Sequence, residues 1–322
     1  MKVDFNIVEQ IQKFKGEMLK GSNQNDIIIE FKTINDIANY DFKNLHPSLE
    51  VRKEKDVLMK MSLYKSKETK KFDCDSSKQA INLYIQAWNS VEKVDFKRIA
   101  NGSGKNKKKL TGETMNSFAT TYKQYKKLTA ENLISVRDVE EKIREFACLT
   151  HSIGNFMPVA NGSFNPRRYQ KTKDYWDLTL RDIHLWYTNR SQETALAKIL
   201  EDSSDWLNIF GENQEGWDKF IEENFLQDFV IKEDDSFGEP IEFWEGHFEG
   251  EVLPKSLDDI NSFLMFVNIA IQKRGLRIIM KINSKVQKEC YELIDQLSIN
   301  EKFDERVVGG VSNDDKSRVL CF

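Results

Sequence analysis

Proline is scarce in this 322-residue sequence, with five in all, and cysteine and histidine number four each. So few prolines argue against an all-β chain, which needs many turns, and the abundance of Lys, Glu, Leu and Ile favours long helices. Cys74, Cys148, Cys290 and Cys321 stand far apart and form no C-x-x-C pair. That spacing excludes a zinc ribbon and a thioredoxin-type motif, and reduced thiols are expected. No long apolar run is present. The most apolar stretch, Phe263–Ile271, is interrupted by Asn268 and is too short to span a bilayer. The N-terminal "MKVDFNIVEQ" carries acids where a secretory leader needs an apolar core, so a cytoplasmic protein with no membrane attachment is expected.

What remains is a chain of globular proportions, 39% hydrophobic and 31% charged. Its patterning predicts a mainly α fold with a minor β component, as one large domain over residues 1–322. Within it lie a basic N-terminal part (1–128), a loop-bearing helical core (129–200), an acidic aromatic part (201–251) and C-terminal helices (252–322). Phe5, Val8, Ile11 and Met18 share a helical face, and "NDIIIEFK" reads as a strand. "SKQAINLYIQAWNSVE" and "ETMNSFATTYKQYKKL" read as helices. "NGSGKNKKKLTG" between them fails the P-loop pattern, because Asn106 follows Gly104-Lys105, and is expected to be a basic surface loop. In "SVRDVEEKIREFACLTHSIGN", Val139, Ile143, Phe146 and Ala147 face one way and Gly154 suggests a helix stop. Asp174 is placed to cap "YWDLTLRDIHLWY". Further helices are expected around Glu193–Phe210, Gly216–Phe225, Leu257–Lys273 and Ser284–Leu297. A strand is expected over Ile241–Val252, and "RVVGGVSNDDKSRVL" suggests a hairpin.

The formal net charge of −4 conceals two opposite fields. Residues 201–251 hold seventeen acids against Lys219 and Lys232, a balance of −15, while residues 51–128 hold nineteen Lys and Arg against eight acids, a balance of +11. The acidic stretch also contains Trp206, Phe210, Trp217, Phe220, Phe225, Phe229, Phe237, Phe243, Trp244 and Phe248, too many rings for a solvated tail. It is expected to fold with the rings inside and the carboxylates outside, and to suit a basic protein partner. The basic region suits nucleic acid or another anionic ligand.

The segment Asn155–Lys173 is a long connection between two helical patterns, and long connections are often functional. Phe156, Met157, Val159 and Phe164 are suited to anchor it. Arg167, Arg168 and Lys171, interleaved with Tyr169, would then project near a helix N-terminus as an anion-binding set. His151 and His184 flank the segment, and Asp177 shares a helix with His184, so a His oriented by a carboxylate is a candidate general base. Cys148 stands one turn before His151 without an orienting third group in sequence. "FWEGHFEGE", if extended, would put Glu245, His247, Glu249 and Glu251 on one side, as metal ligands or as the wet face of a strand. These patterns leave the cofactor unknown.

"SIGNFMPV…FN…R…KDYWDLTL" resembles a signature of an uncharacterised bacterial protein family. Ile153-Gly154-Asn155 followed by Asn165 is similar to the "LGNL…N" segment in the HNH-type nuclease domain of GmrSD-like restriction proteins. That resemblance covers about thirty residues. It implies that Asn155 and Asn165 hold a metal loop, and that the chain is bacterial or phage-borne and serves restriction-like phage defence, by binding nucleic acid or by metal-dependent cleavage. The nuclease family's Asp-His-x-x-Pro element is matched only by "NLHPSLE", where Leu45 precedes His46 and no acid stands beside it.

Overall fold

The computed structural model describes residues 5–19, 31–45, 49–51, 64–66, 74–88, 110–132, 137–160, 162–169, 175–188, 194–250 and 252–298. The fold is mainly α with a minor β component. The helices are α1 (Phe5–Met18), α2 (Ile34–Ala38), α3 (Lys78–Ala87), α4 (Phe118–Asn132), α5 (Arg137–Leu149), α6 (Trp176–Tyr187), α7 (Ala197–Asp202), α8 (Ser204–Leu207), α9 (Asn213–Glu223), α10 (Leu257–Ile282) and α11 (Gln287–Ser298). The strands are β1 (Leu49–Val51), β2 (Tyr64–Ser66), β3 (Leu110–Thr114), β4 (Phe156–Ala160), β5 (Val230–Lys232) and β6 (Phe237–Pro240). They pair β1 with β2, β3 with β4 and β5 with β6, each pair antiparallel.

Helix α10 is the axis of the core. Its 26 residues span about 39 Å at 1.5 Å per residue. It starts at a reciprocal cap: the Ser256 hydroxyl accepts from the Asp259 N–H at 3.0 Å, and Asp259 Oδ2 accepts from the Ser256 N–H at 3.0 Å. Ile260, Phe263, Leu264, Val267, Ile271, Leu276 and Ile279 are buried along it, so it packs on more than one side. The sequence pattern suggests an end at Lys273, but the helix continues for nine further residues. Lys273-Arg274-Gly275 reads as a polar break, yet each residue has an interior use. Lys273 lies 3.6 Å from Asp228. Gly275 lets α10 approach Ala38, whose carbonyl oxygen would be 3.1 Å from an added Cβ.

Arg274 is fully buried. Its guanidinium donates to the carbonyls of Gly154 at 2.7 Å, Phe156 at 2.6 Å and Asn224 at 3.0 Å. Carbonyl dipoles therefore take the place of a counter-ion, and burial lowers its pKa to about 9. These bonds tie α10 to the turn after α5, to β4 and to the end of α9.

Several expectations are corrected. The 155–173 connection is largely structured. Phe156–Ala160 is a wholly buried strand paired with Leu110–Thr114, and Asn165–Tyr169 is a 3-10 helix. Consequently "LTGET" is strand and α4 begins at Phe118, while 101–109 of the expected basic loop lie outside the described residues. Gly112 fits this ribbon because a Cβ there would lie 1.7 Å from the Asp75 carbonyl oxygen. Gly154 does not stop a helix. It sits in a buried 3-10 turn, Ile153–Asn155, pressed against α10. Residues 243–250 form bends and turns, with Gly246 and Gly250 at positive φ, so "FWEGHFEG" is not extended and its alternation has no structural meaning, while Glu251 lies outside the described residues. Helix α6 starts at Trp176, and Asp174, most of "NDIIIEFK" and the C-terminal hairpin lie outside the described residues.

Candidate functional site

Arg167 does not project from its loop. It is 0% exposed, and its Nη2 donates to Glu113 Oε1 at 3.3 Å, while the guanidinium lies over the Trp176 ring at 5.1 Å. The expectation of a free anion-binding arginine is therefore corrected: the chain's own Glu113 neutralises it and Trp176 covers it. Asn165 joins the same network, its Nδ2 donating to Glu113 Oε2 at 2.7 Å. Glu113, on β3, thus holds both residues and pins the 162–169 turn to the ribbon. Arg168 and Tyr169 belong to the same 3-10 helix, and Lys171 lies outside the described residues.

Asn155 is likewise internal. Its Nδ2 donates to the carbonyls of Asn116 and Thr150, both at 2.9 Å, and its Oδ1 accepts from the Asn116 N–H at 3.1 Å. Every hydrogen of that amide is committed to backbone, so its role is to join the α5 terminus to the β3–α4 turn.

Each of the three residues expected to be catalytic has packing partners of its own. His151 is buried where Phe42 N–H donates to its carbonyl at 3.0 Å, and its Nδ1 lies 4.0 Å from Asp41 Oδ1. Burial, reinforced by the nearby Lys43 charge, lowers its imidazole to about 3. Cys148 is exposed, and partial desolvation raises its thiol. These directions oppose what an ion-paired thiolate and imidazolium require. His184 packs its ring on Trp217, 4.9 Å between centroids. Asp177 pairs with His247 instead, its Oδ2 lying 2.6 Å from Nδ1 and also accepting from the Phe243 N–H at 2.9 Å. Both side chains are fully buried, and Trp244 stacks on the imidazole. Four residues later on α6, Arg181 donates to the Phe248 carbonyl and lies over the Phe248 ring. Asp177 and Arg181 therefore fasten the 243–250 turns to α6, which is a structural use of a His–Asp pair.

Asp182, on the same helix, accepts from the Leu196 N–H at 3.0 Å and orders the approach to α7. Burial raises its carboxyl to about 6. Because the folded-state value lies above the ordinary one, its contribution to stability is complete in acid and is lost as pH rises through about 6. A rise from 3.8 to about 6 corresponds to about 3 kcal/mol. Asp182→Asn keeps an acceptor for Leu196 without the buried charge. It is expected to raise the thermal midpoint at pH 8 and to leave it nearly unchanged at pH 4, as read by circular dichroism melts.

The acidic segment reaches solvent. Trp206, Phe210, Trp217, Phe220, Phe225, Phe229, Phe243 and Trp244 are buried, with Phe237 and Phe248 half-buried. Trp217 donates its indole N–H to the Gly238 carbonyl at 3.0 Å, and Asp218 accepts from the Phe237 N–H at 2.8 Å, which fixes the β5–β6 hairpin on α9. On this rigid base Glu201, Asp202, Asp205, Glu212, Glu215, Glu222, Glu233, Asp234, Asp235, Glu239, Glu245 and Glu249 are exposed. Among the described residues the ion pairs of this segment are those of the buried Asp228, with Lys273 and with Arg277 at 2.8 Å. The twelve exposed carboxylates have none there.

A family model described as a family of unknown function (DUF6994) matches residues 59–278. The chain belongs to that family. The match takes in the Glu113–Asn165–Arg167 network, the Asp177–His247 pair and the acidic segment, and it lends no support to the likeness with HNH-type domains. No curated protein and no solved structure matches the chain. No helix among the described residues is long and apolar enough to cross a membrane, and no group of three or more His, Cys, Asp or Glu among them is placed to hold a metal ion.

Proposed function

We infer that this chain is a non-catalytic interaction protein that binds a basic polypeptide on its 201–249 face, in the cytoplasm. The observation that carries this reading is the set of twelve exposed carboxylates on a hairpin and helices locked together by buried rings. Like charges held on a rigid surface repel one another, and a partner's Lys and Arg relieve that repulsion. They also steer the partner's approach over roughly a Debye length, about 8 Å at physiological salt. The alternative readings have less behind them. Nucleic-acid binding keeps the basic stretch 51–128 but loses Arg167 to Glu113. A phage-defence nuclease of HNH type requires acids and histidines gathered at a metal, and its two asparagines here hold backbone and Glu113.

The test uses the two lysines in the face. Lys219 and Lys232 are exposed, so amine-reactive cross-linking in lysate followed by mass spectrometry is expected to join them to one strongly basic protein. With that protein purified, replacing Glu222, Glu223, Asp234 and Asp235 together by Lys is expected to weaken binding about hundredfold at 0.15 M salt, and raising the salt to weaken it further. Unchanged affinity in the reversed variant, or binding indifferent to salt, would reject the reading. Duplex DNA binding that survives the same four changes would favour the nucleic-acid alternative.

A further inference from the structure

We draw no further inference here: the strongest candidate, the buried Asn116 Nδ2 and Trp176 Nε1 donors at the N-terminal end of α6 beside Arg167, belongs to an interior network whose cation Glu113 already neutralises, and nothing in the structure shows what meets them.

Discussion

Gly154→Ala is expected to cost more than about 4 kcal/mol, enough to leave much of the chain unfolded at 25 °C. An added Cβ would lie 2.0 Å from the Ile271 carbonyl oxygen, 2.9 Å from the Gly275 nitrogen and 3.0 Å from the Ile271 carbonyl carbon. All three atoms are backbone of α10, so no side-chain rotation relieves the overlap and one of the two elements must move away. Moving the Ile153–Asn155 turn would also draw the Gly154 and Phe156 carbonyls away from Arg274, leaving a buried guanidinium short of acceptors. Two other glycines serve as controls. At Gly16, inside α1, a Cβ meets nothing within 4 Å. Alanine there is expected to stabilise by about 0.5–1 kcal/mol, from helix propensity and reduced unfolded-state entropy. Gly162 also faces open space but has a φ of +76°. Alanine there is expected to cost about 1 kcal/mol through backbone strain alone. Urea unfolding followed by tryptophan fluorescence gives all three. A Gly154 variant no weaker than the Gly162 variant would mean that the close approach to α10 is not a fixed feature of the fold.

The same glycine shows where sequence reasoning stops. Periodicity identifies α5, α6 and α9 because a helix that buries one face must repeat its apolar residues at helical spacing. It likewise places the rings of 201–251 inside, since ten aromatics in an acidic stretch have nowhere else to go. A glycine after a helix, by contrast, reads equally as a stop or as a point of close approach, and the deciding atom, the Ile271 carbonyl, is more than a hundred residues away. Arg167 is misread for a related reason. An Arg-Arg pair after a proline in a long connection looks solvated, and nothing near it in sequence announces Glu113, fifty-four residues earlier and itself in a stretch that reads as loop and helix start. The alternation in "FWEGHFEGE" suggests a strand, whereas Gly246 and Gly250 at positive φ turn the chain and send His247 inward to Asp177. In each case the missing knowledge is a long-range partner, and local pattern carries none.

Acidification is expected to destabilise the protein through His151, by about 3 kcal/mol at pH 4.5 relative to pH 7. The imidazole is buried and held at about 3 in the folded state against an ordinary value of 6.5, and the nearby Lys43 charge acts in the same direction as burial. The unfolded chain therefore takes up a proton below 6.5 that the folded chain refuses. Stability is complete above pH 6.5 and is lost as pH falls toward 3, at about 1.4 kcal/mol per pH unit. Two carboxyls act oppositely. Burial raises the carboxyls of Asp182 and Asp41, the latter opposed by its pairing with Lys43, so each takes up a proton more readily folded than unfolded. Their contribution grows on acidification and offsets part of the histidine effect. The prediction is consequently a pair of opposite changes in slope. His151→Gln removes the refused proton and is expected to flatten the fall in unfolding free energy between pH 7 and pH 4.5. Asp182→Asn removes an offset and is expected to steepen it. Urea titrations of the three proteins at both pH values measure the slopes directly, and His151→Gln following the parent curve would show that the imidazole is hydrated and freely protonated, contrary to its place behind the Phe42–His151 backbone bond.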